Sequence, residues 1–448
     1  MPPRQCCRSR PRPPRSPPRR PRWTTLPPRC CRGSRSTPAS PTPHATSPPR
    51  RRSRSPTRSP FPVTDRSLRV LQIIDTFAYG GAERLLATLN GVAPDLGLHM
   101  SVASLAPPTP ERSLSFPVLQ DAGLDPSYIG IRLMRQRNAV PLIAKKIRES
   151  RADVVHAHLG TSSVLVPLAA RLAKVPVLST LHHLPAHGRA LPARTKEKLA
   201  IRSAGRGHSL IFVSEAARAA AESIHGSPRP SWRVLHNGVD MSSFRPAAGG
   251  VPEPLPADLG VPAGVPVVTI VAALRKPKGH EVALRAWPSV RERVPGAVLL
   301  IVGDGEHRAT LESLAGEGVV FAGSRDDVPA ILRGSTLALL PSLTEALPTA
   351  VIEAAASGLT AVATTVGGTP EIVDDGRTGL LVAPGDATAL GDAVVALLTD
   401  DARRAELGEA ARRLAEDRFD LRRWAGRLAD LYDDALASKA AGSRRVRV

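Results

Sequence analysis

Apolar residues fall along this chain in two kinds of run, and the two kinds take turns. From Arg69 onward, short runs of aliphatic and β-branched residues alternate with longer stretches in which apolar positions recur every three or four residues. The short runs predict strands at 70–74, 100–104, 154–156, 177–180, 209–213 and 233–235. The longer ones predict helices at 82–92, 140–150, 162–173, 193–202 and 215–224. Residues 245–266 are rich in Pro, Gly and Ala and carry no period, which places a linker at 248–266. The alternation then restarts, with strands at 267–271, 297–302, 319–321, 337–340, 361–363 and 380–382. Helices are expected at 280–293, 307–314, 328–332, 349–357, 390–398, 402–416 and 421–436. Repeated strand-then-helix units with largely apolar strands imply parallel sheets covered by helices on both faces. The expected fold is α/β: two tandem Rossmann-like, doubly wound domains, 67–247 and 267–417, with a ligand cleft between their strand ends.

Composition changes this picture at one end only. The chain has 448 residues, 42% of them hydrophobic, enough for two cores. Its formal net charge of +21 is unevenly spread. Residues 1–66 hold 17 arginines and one acid, residues 67–250 hold 22 bases against 12 acids, and residues 251–448 hold 22 bases against 27 acids. Residues 1–62 are Arg, Pro and Ser with almost no aliphatic side chains, so they cannot bury enough apolar surface to offset their ordering entropy. Three readings of this tail stand open. It is a basic arm, a plain disordered extension, or a stretch upstream of a later translation start, which 53 Arg against 8 Lys in a GC-rich coding sequence would favour. All four cysteines lie in the tail, which leaves the rest without a disulfide framework or a thiolate zinc site. No apolar run reaches the roughly 18 residues of a membrane span. The basic N-terminus is not followed by the apolar stretch of a secretory signal. A cytoplasmic protein is expected.

Four stretches carry candidate chemistry. Gly80-Gly81 stand at the turn from the first strand to the first helix, where backbone amides and the helix N-terminus can approach a phosphate; a merely tight turn is the alternative. His156 and His158 end one strand, and His182, His183 and His187 follow the next. A metal pair at His156 and His158 lacks a cysteine or carboxylate to complete it, so no metal is assigned. His182 suits a hydrogen bond to a sugar or a phosphate, and His156 reads as a satisfied core residue. Arg275-Lys276-Pro277-Lys278 put three cations in four residues before a helix, a place for a diphosphate or a solvated basic turn. Glu345 lies in a loop and Glu353 in the helix after it. Eight residues span roughly 12 Å along a helix, too far for a paired acid and base, so they suit two parts of one ligand. Glu353 sits in a largely apolar run and needs a partner, either a ribose diol or an arginine.

These stretches, with Val213-Ser214-Glu215, Asn237-Gly238-Val239-Asp240, Lys278-Gly279-His280, Val302-Gly303-Asp304-Gly305, Phe321-Ala322-Gly323, Leu340-Pro341-Ser342, Val366-Gly367-Gly368-Thr369-Pro370-Glu371 and Asp375-Gly376-Arg377-Thr378-Gly379, stand in order along the chain. From Arg69 to about Ala435 the chain resembles the GT4 family of retaining glycosyltransferases, which have the GT-B fold. The resemblance implies that residues 418–437 form a helix that crosses back onto the first domain. It implies that Glu353 holds the donor ribose, and that Glu345 with the amides at Ala346 and Leu347 holds the donor sugar. Lys278 and an arginine would bind the diphosphate, with Gly80, Gly81, Gly303 and Gly323 lining the donor site. His182 would lie beside the reacting sugar, and His158 and Arg84 on the acceptor side. The sequence departs from the family where a diphosphate arginine is usual and Ala273 stands, with Arg275 two residues on as its substitute. It departs again at Glu345-Ala346-Leu347-Pro348, where relatives often have Glu-Gly-Phe-Gly.

The expected reaction is metal-independent transfer of a hexose from a nucleotide sugar, such as a UDP- or GDP-hexose, with retention. No bound cofactor and no nucleic acid are expected. The acceptor would be lipid-linked, a saccharide or a small molecule. The cluster Arg132, Arg135, Arg137, Lys145, Lys146 and Arg148 gives the first domain a surface for the anionic inner face of a membrane, or a merely solvated basic helix. The rival reading is an inactive sugar-nucleotide-binding protein of the same fold. An oxidoreductase would need a spaced glycine fingerprint, which is missing.

Overall fold

The computed structural model describes residues 67–445 apart from Tyr79, Leu159, residues 186–190 and Ser227. The basic tail and His187 therefore lie outside the described residues. The first half runs β1 (Leu68–Ile74), α1 (Gly81–Val92), β2 (Leu98–Ser104), α2 (Phe116–Asp121), β3 (Pro126–Tyr128), α3 (Ala139–Glu149), β4 (Val154–His158), α4 (Gly160–Ala173), β5 (Val177–Leu181), α5 (Leu191–Ala204), β6 (Ser209–Phe212), α6 (Glu215–His225) and β7 (Trp232–Val234). All seven strands are parallel, in the order β3-β2-β1-β4-β5-β6-β7. The second half runs β8 (Val267–Val271), α7 (His280–Arg293), β9 (Val298–Val302), α8 (Arg308–Leu314), β10 (Val319–Gly323), α9 (Val328–Arg333), β11 (Leu337–Leu340), α10 (Thr349–Ala356), β12 (Ala361–Thr364), β13 (Gly379–Val382), α11 (Ala387–Leu398) and α12 (Asp401–Arg418). Its six strands are also parallel, in the order β10-β9-β8-β11-β12-β13. In both sheets the strand order reverses beside the first strand, between β1 and β4 and between β8 and β11. Loops diverge at such a point and leave room for a ligand at the carboxyl ends.

The strands are apolar because helices cover both faces. Every residue of β9, β11 and β12 is buried. Helix starts follow local chemistry. Ser214 accepts from the Ala217 N–H, Asp386 from Ala389 and Asp400 from Arg403, each capping the helix that follows. The linker is packed down: Glu253 takes the guanidinium of Arg333 at 2.7 Å, and its N–H donates to the Arg333 carbonyl.

The last helix, α13 (Leu421–Arg445), returns to the first sheet. Leu421, Trp424, Ala425, Leu428, Tyr432 and Ala435 recur at helical spacing and share one core cluster with Val70, Leu85, Leu89, Val154 and Leu178. Backbone bonds from Val239 N–H to Phe419 O and from Leu421 N–H to Val239 O fix where the chain crosses.

Two elements were not expected from the sequence, β3 and α2. Both are short, and both are held by an aromatic cluster. Phe116 stacks on Tyr128 at 5.6 Å, and Phe77 meets Tyr128 edge-on at 5.3 Å. Among the described residues no helix is long and apolar enough to cross a membrane.

Candidate active site

Residues from β1, α1, β4 and β5 build the first wall. At the N-terminus of α1, Gly80 is extended and no side chain caps the helix. The Glu83 carboxyl lies over Gly80, where any Cβ would strike it. Burial, with the charge of Asp75 as a lesser cause, pushes Glu83 up to about 7, against the pull of its own backbone N–H. Gly81 has open space where a Cβ would stand. Asp75 follows β1 and accepts the N–H groups of Thr161 and Ser162 at 2.9 and 2.7 Å, closing the N-terminus of α4. Arg84 reaches out of the first half: its guanidinium donates to the Arg325 carbonyl at 3.2 Å and pairs with Asp326 at 3.6 Å.

The two-residue period of β4 puts His156 and His158 on one face of the sheet, beside Gln72 of β1. His156 is a fully paired core residue, with Tyr432 on one nitrogen at 2.9 Å and Thr180 on the other at 2.7 Å. His158 bonds Gln72 at 2.8 Å and His182 at 3.1 Å. Burial is the main cause that pushes all three rings down, His156 to about 3, His182 to about 4 and His158 well below its ordinary value. They are neutral at pH 7. Only His182, which follows β5, is partly open.

The second wall is organised around one ion pair. Lys278 Nζ donates to both oxygens of Glu345, at 2.7 and 2.9 Å, and Ser342 Oγ donates to the same carboxylate at 2.7 Å. Glu345 is 7% exposed and the Lys278 side chain 31%. Glycines let the loops meet here. Gly279 has φ +65°, and a Cβ there would overlap the Pro341 carbonyl. Gly367 has φ +50°, and a Cβ there would overlap the carbonyl of Glu345 itself. Ala346 and Leu347 are buried. The Ala346 carbonyl takes Gly368 N–H at 3.1 Å and Ser214 Oγ at 2.7 Å, a link between the two halves. Among the described residues no protein acceptor takes the N–H of Ala346 or Leu347. Gly303 N–H donates to the Gly323 carbonyl at 2.8 Å, which ties the ends of β9 and β10 together.

Glu353, on α10, has its carboxyl pushed up to about 7 by burial, against the opposing pull of Arg84. Its charge partner thus comes from the other half of the chain. Arg275 is exposed and lines a cavity of about 400 Å³ with Lys276, Gly279, His280, Arg285 and His307; Lys278, Glu345 and Glu353 are not among its walls.

The structure therefore joins His158 to His182 and Lys278 to Glu345 by direct bonds, and joins Arg84 to the surroundings of Glu353 across the halves. It brings Arg275 to the same turn as Lys278, where the Lys278 N–H donates to the Arg275 carbonyl at 3.0 Å and the two side chains make no bond to each other. Sequence reasoning missed Gln72, Glu83 and Tyr432. Gln72 is a polar residue inside an apolar strand, which was a legible signal. Among the described residues no group of three or more His, Cys, Asp or Glu is arranged to hold a metal ion. The two walls offer a fixed ammonium, a buried carboxylate, unpaired amides and a neutral imidazole. Such a set can bind an anionic group and a polyhydroxylated one together.

The chain matches the family described as Glycosyltransferase Family 4 over residues 79–243 and that described as Glycosyl transferases group 1 over residues 265–400. It is 31% identical to a GDP-mannose-dependent α-(1-6)-phosphatidylinositol monomannoside mannosyltransferase of Mycolicibacterium smegmatis, over 67% of this chain and 84% of that one. It is also 31% identical to a D-inositol 3-phosphate glycosyltransferase of Corynebacterium aurimucosum, over 64% of this chain and 72% of that one. Among solved structures, Anabaena HepE in complex with UDP and glucose superposes with a TM-score of 0.70 at 22% identity, covering 81% of this chain and 98% of that one. The two parallel sheets, the returning last helix and these relatives agree: the chain belongs to the group 1 glycosyltransferases of family 4 and has their GT-B fold.

Proposed function

We propose that this chain transfers a hexose from a nucleotide diphosphate sugar to a lipid-linked, saccharide or small-molecule acceptor, with retention and without a metal ion. The first sheet forms the acceptor side and the second the donor side. The observation that carries this reading is the Lys278–Glu345 pair beside the amides of Ala346 and Leu347, which lack protein acceptors among the described residues. Lys278 and Arg275 hold the diphosphate, faced by Gly80 and Gly81. Glu345 and the two amides hold the donor sugar, Glu353 takes the ribose, and Gly303 and Gly323 line the nucleotide site. His182 stands beside the reacting sugar, with His158 behind it and Arg84 at the acceptor's edge. In the reaction the bond from C1 to the phosphate oxygen breaks and a bond from C1 to the acceptor oxygen forms. The acceptor's proton passes to the departing phosphate. Charge grows on that phosphate, so fixed cations lower the barrier more than a side-chain nucleophile would.

Relatives named for phosphatidylinositol mannoside and diphosphoundecaprenol acceptors support a lipid-linked acceptor in cell-envelope synthesis. Arg132, Arg135 and Arg137 are exposed around Leu133, which is 72% exposed, a surface suited to peripheral binding on an anionic membrane's cytoplasmic face. Screening nucleotide sugars by thermal shift tests the donor reading, because a ligand at 100 times its Kd adds about 2.7 kcal/mol to the folded state. One or two should raise Tm and then give transfer to acceptor. If none does, the proposal falls. Binding without transfer or hydrolysis supports the rival reading of an inactive binder, which Ala273 in place of the usual arginine favours.

A further inference from the structure

The histidines at the ends of β4 and β5 belong to a longer polar chain that begins on the last helix. Tyr432, buried on α13, has its hydroxyl 3.2 Å from Gln72 Nε2 and 2.9 Å from His156 Nδ1. Gln72 Oε1 lies 2.8 Å from His158 Nε2, and His158 Nδ1 lies 3.1 Å from His182 Nε2. A neutral imidazole has one N–H and one lone pair, so in such a chain the place of each proton fixes the next.

Gln72 decides the direction. Its amide could in principle face either way. Met100 Sδ lies 3.9 Å from the nitrogen end. A thioether only accepts, so the two amide protons suit the tyrosine oxygen and the sulfur together. The reversed amide would set a carbonyl oxygen against the sulfur. Gln72 Oε1 therefore accepts, and His158 Nε2 carries the proton. His158 then has only a lone pair on Nδ1, so His182 Nε2 must donate. That bond uses the one proton of His182 and leaves its Nδ1 bare. No protein group among the described residues partners that nitrogen.

We propose that Gln72, Met100 and Tyr432 are positioning residues that set the tautomer of His182 through His158, so that His182 meets its ligand as a hydrogen-bond acceptor. It pairs with a sugar hydroxyl and not with an oxygen of the donor's diphosphate, both of whose phosphates are esterified and have no proton to give at neutral pH. This deepens the donor-site reading of His182 and rests on it. It also makes α13 part of the site: three side chains connect the returning helix to the cleft.

The test is ¹⁵N NMR of the full chain with labelled histidine, His182 being identified by its loss in His182→Asn. The free protein at pH 7 should show His182 protonated on Nε2 and bare on Nδ1, and inorganic sulfate, an anion that carries no proton at this pH, should leave that Nδ1 unmoved. Gln72→Glu sets an acceptor-only carboxylate against His158 and holds a second proton on that ring. His158 Nδ1 then donates, and the proton of His182 moves to its own Nδ1. Tyr432→Phe removes the oxygen that orients the amide and should mix the two tautomers. Both variants should lower kcat/KM, Gln72→Glu by tenfold or more. A wild-type His182 protonated on Nδ1 overturns the proposal, as does sulfate alone shifting that nitrogen. So does an unmoved His182 proton in Gln72→Glu. If Gln72→Glu does not fold, Tyr432→Phe decides in the same way, and loosened packing alone would not move a tautomer. The spectrum needs no nucleotide sugar. A failed donor reading therefore leaves the tautomer result standing, whereas a wrong tautomer beside a working donor site overturns this inference alone.

Discussion

Removing Lys278 should do two separable things. Lys278→Ala leaves the Glu345 carboxylate, 7% exposed, with only Ser342 among the described residues donating to it. Breaking a fully buried pair costs about 3–5 kcal/mol, and an exposed pair contributes about 0–1 kcal/mol. The lysine is 31% exposed, so water reaches part of the gap, and about 2 kcal/mol is the expected loss between those bounds. At about 2–4 °C per kcal/mol for a domain of this size, Tm should fall by about 4–8 °C. The double variant Lys278→Ala/Glu345→Gln removes the stranded charge and keeps an oxygen for Ser342, so at least half the lost stability should return. Activity should not return with it. A cation placed where charge develops on the departing phosphate is worth about 10²–10³-fold in kcat, and both variants lack the one that Lys278 supplies. Thermal unfolding of the wild type and the two variants, with kcat measured on the donor found by screening, gives both readouts. If Lys278→Ala keeps its Tm and a kcat within tenfold of wild type, the reasoning fails. If the double variant regains activity along with stability, Lys278 serves the fold alone.

Three further outcomes follow from other residues. Arg275→Ala should lower kcat about a hundredfold, and combined with Lys278→Ala it should fall short of the product, since both act on one leaving group; a near-native kcat would hand its role to Arg84 or Lys276. Burial holds the Glu353 carboxyl at about 7, so it is neutral below that pH and charged above. Donor KM should therefore fall as pH rises through 7. Glu353→Gln should raise KM by an amount worth about 1.5–3 kcal/mol and remove that pH dependence; a flat wild-type profile, or a large loss of kcat at saturating donor, refutes the assignment. Changing Arg132, Arg135 and Arg137 to Ser should weaken binding to anionic vesicles and leave donor affinity alone, and an intact protein that ignores such vesicles at low salt ends the membrane reading.

The alternation of apolar runs was enough to lay out both sheets. Strands β8 and β11 and helix α7 fall on the ranges their periodicity predicts, because a strand buried on both faces must be apolar throughout and a covering helix must show a stripe. Gly80, Lys278, Glu345 and Glu353 were legible for a related reason: a glycine pair, a cation run or an acid in an apolar stretch stands out locally. What the pattern could not reach was pairing between segments distant in sequence. Strand β3 and helix α2 exist because Phe77, Phe116 and Tyr128 meet, and no local period records that. Glu353 answers to Arg84 across the halves, 269 residues away along the chain. Tyr432 and Gln72, 360 residues apart, become partners only when α13 returns to the first sheet. Local sequence determines which face a residue takes along its own strand or helix. Which buried polar groups satisfy one another is decided by the packing of whole elements, because a proton buried away from water must find its partner wherever the fold brings one.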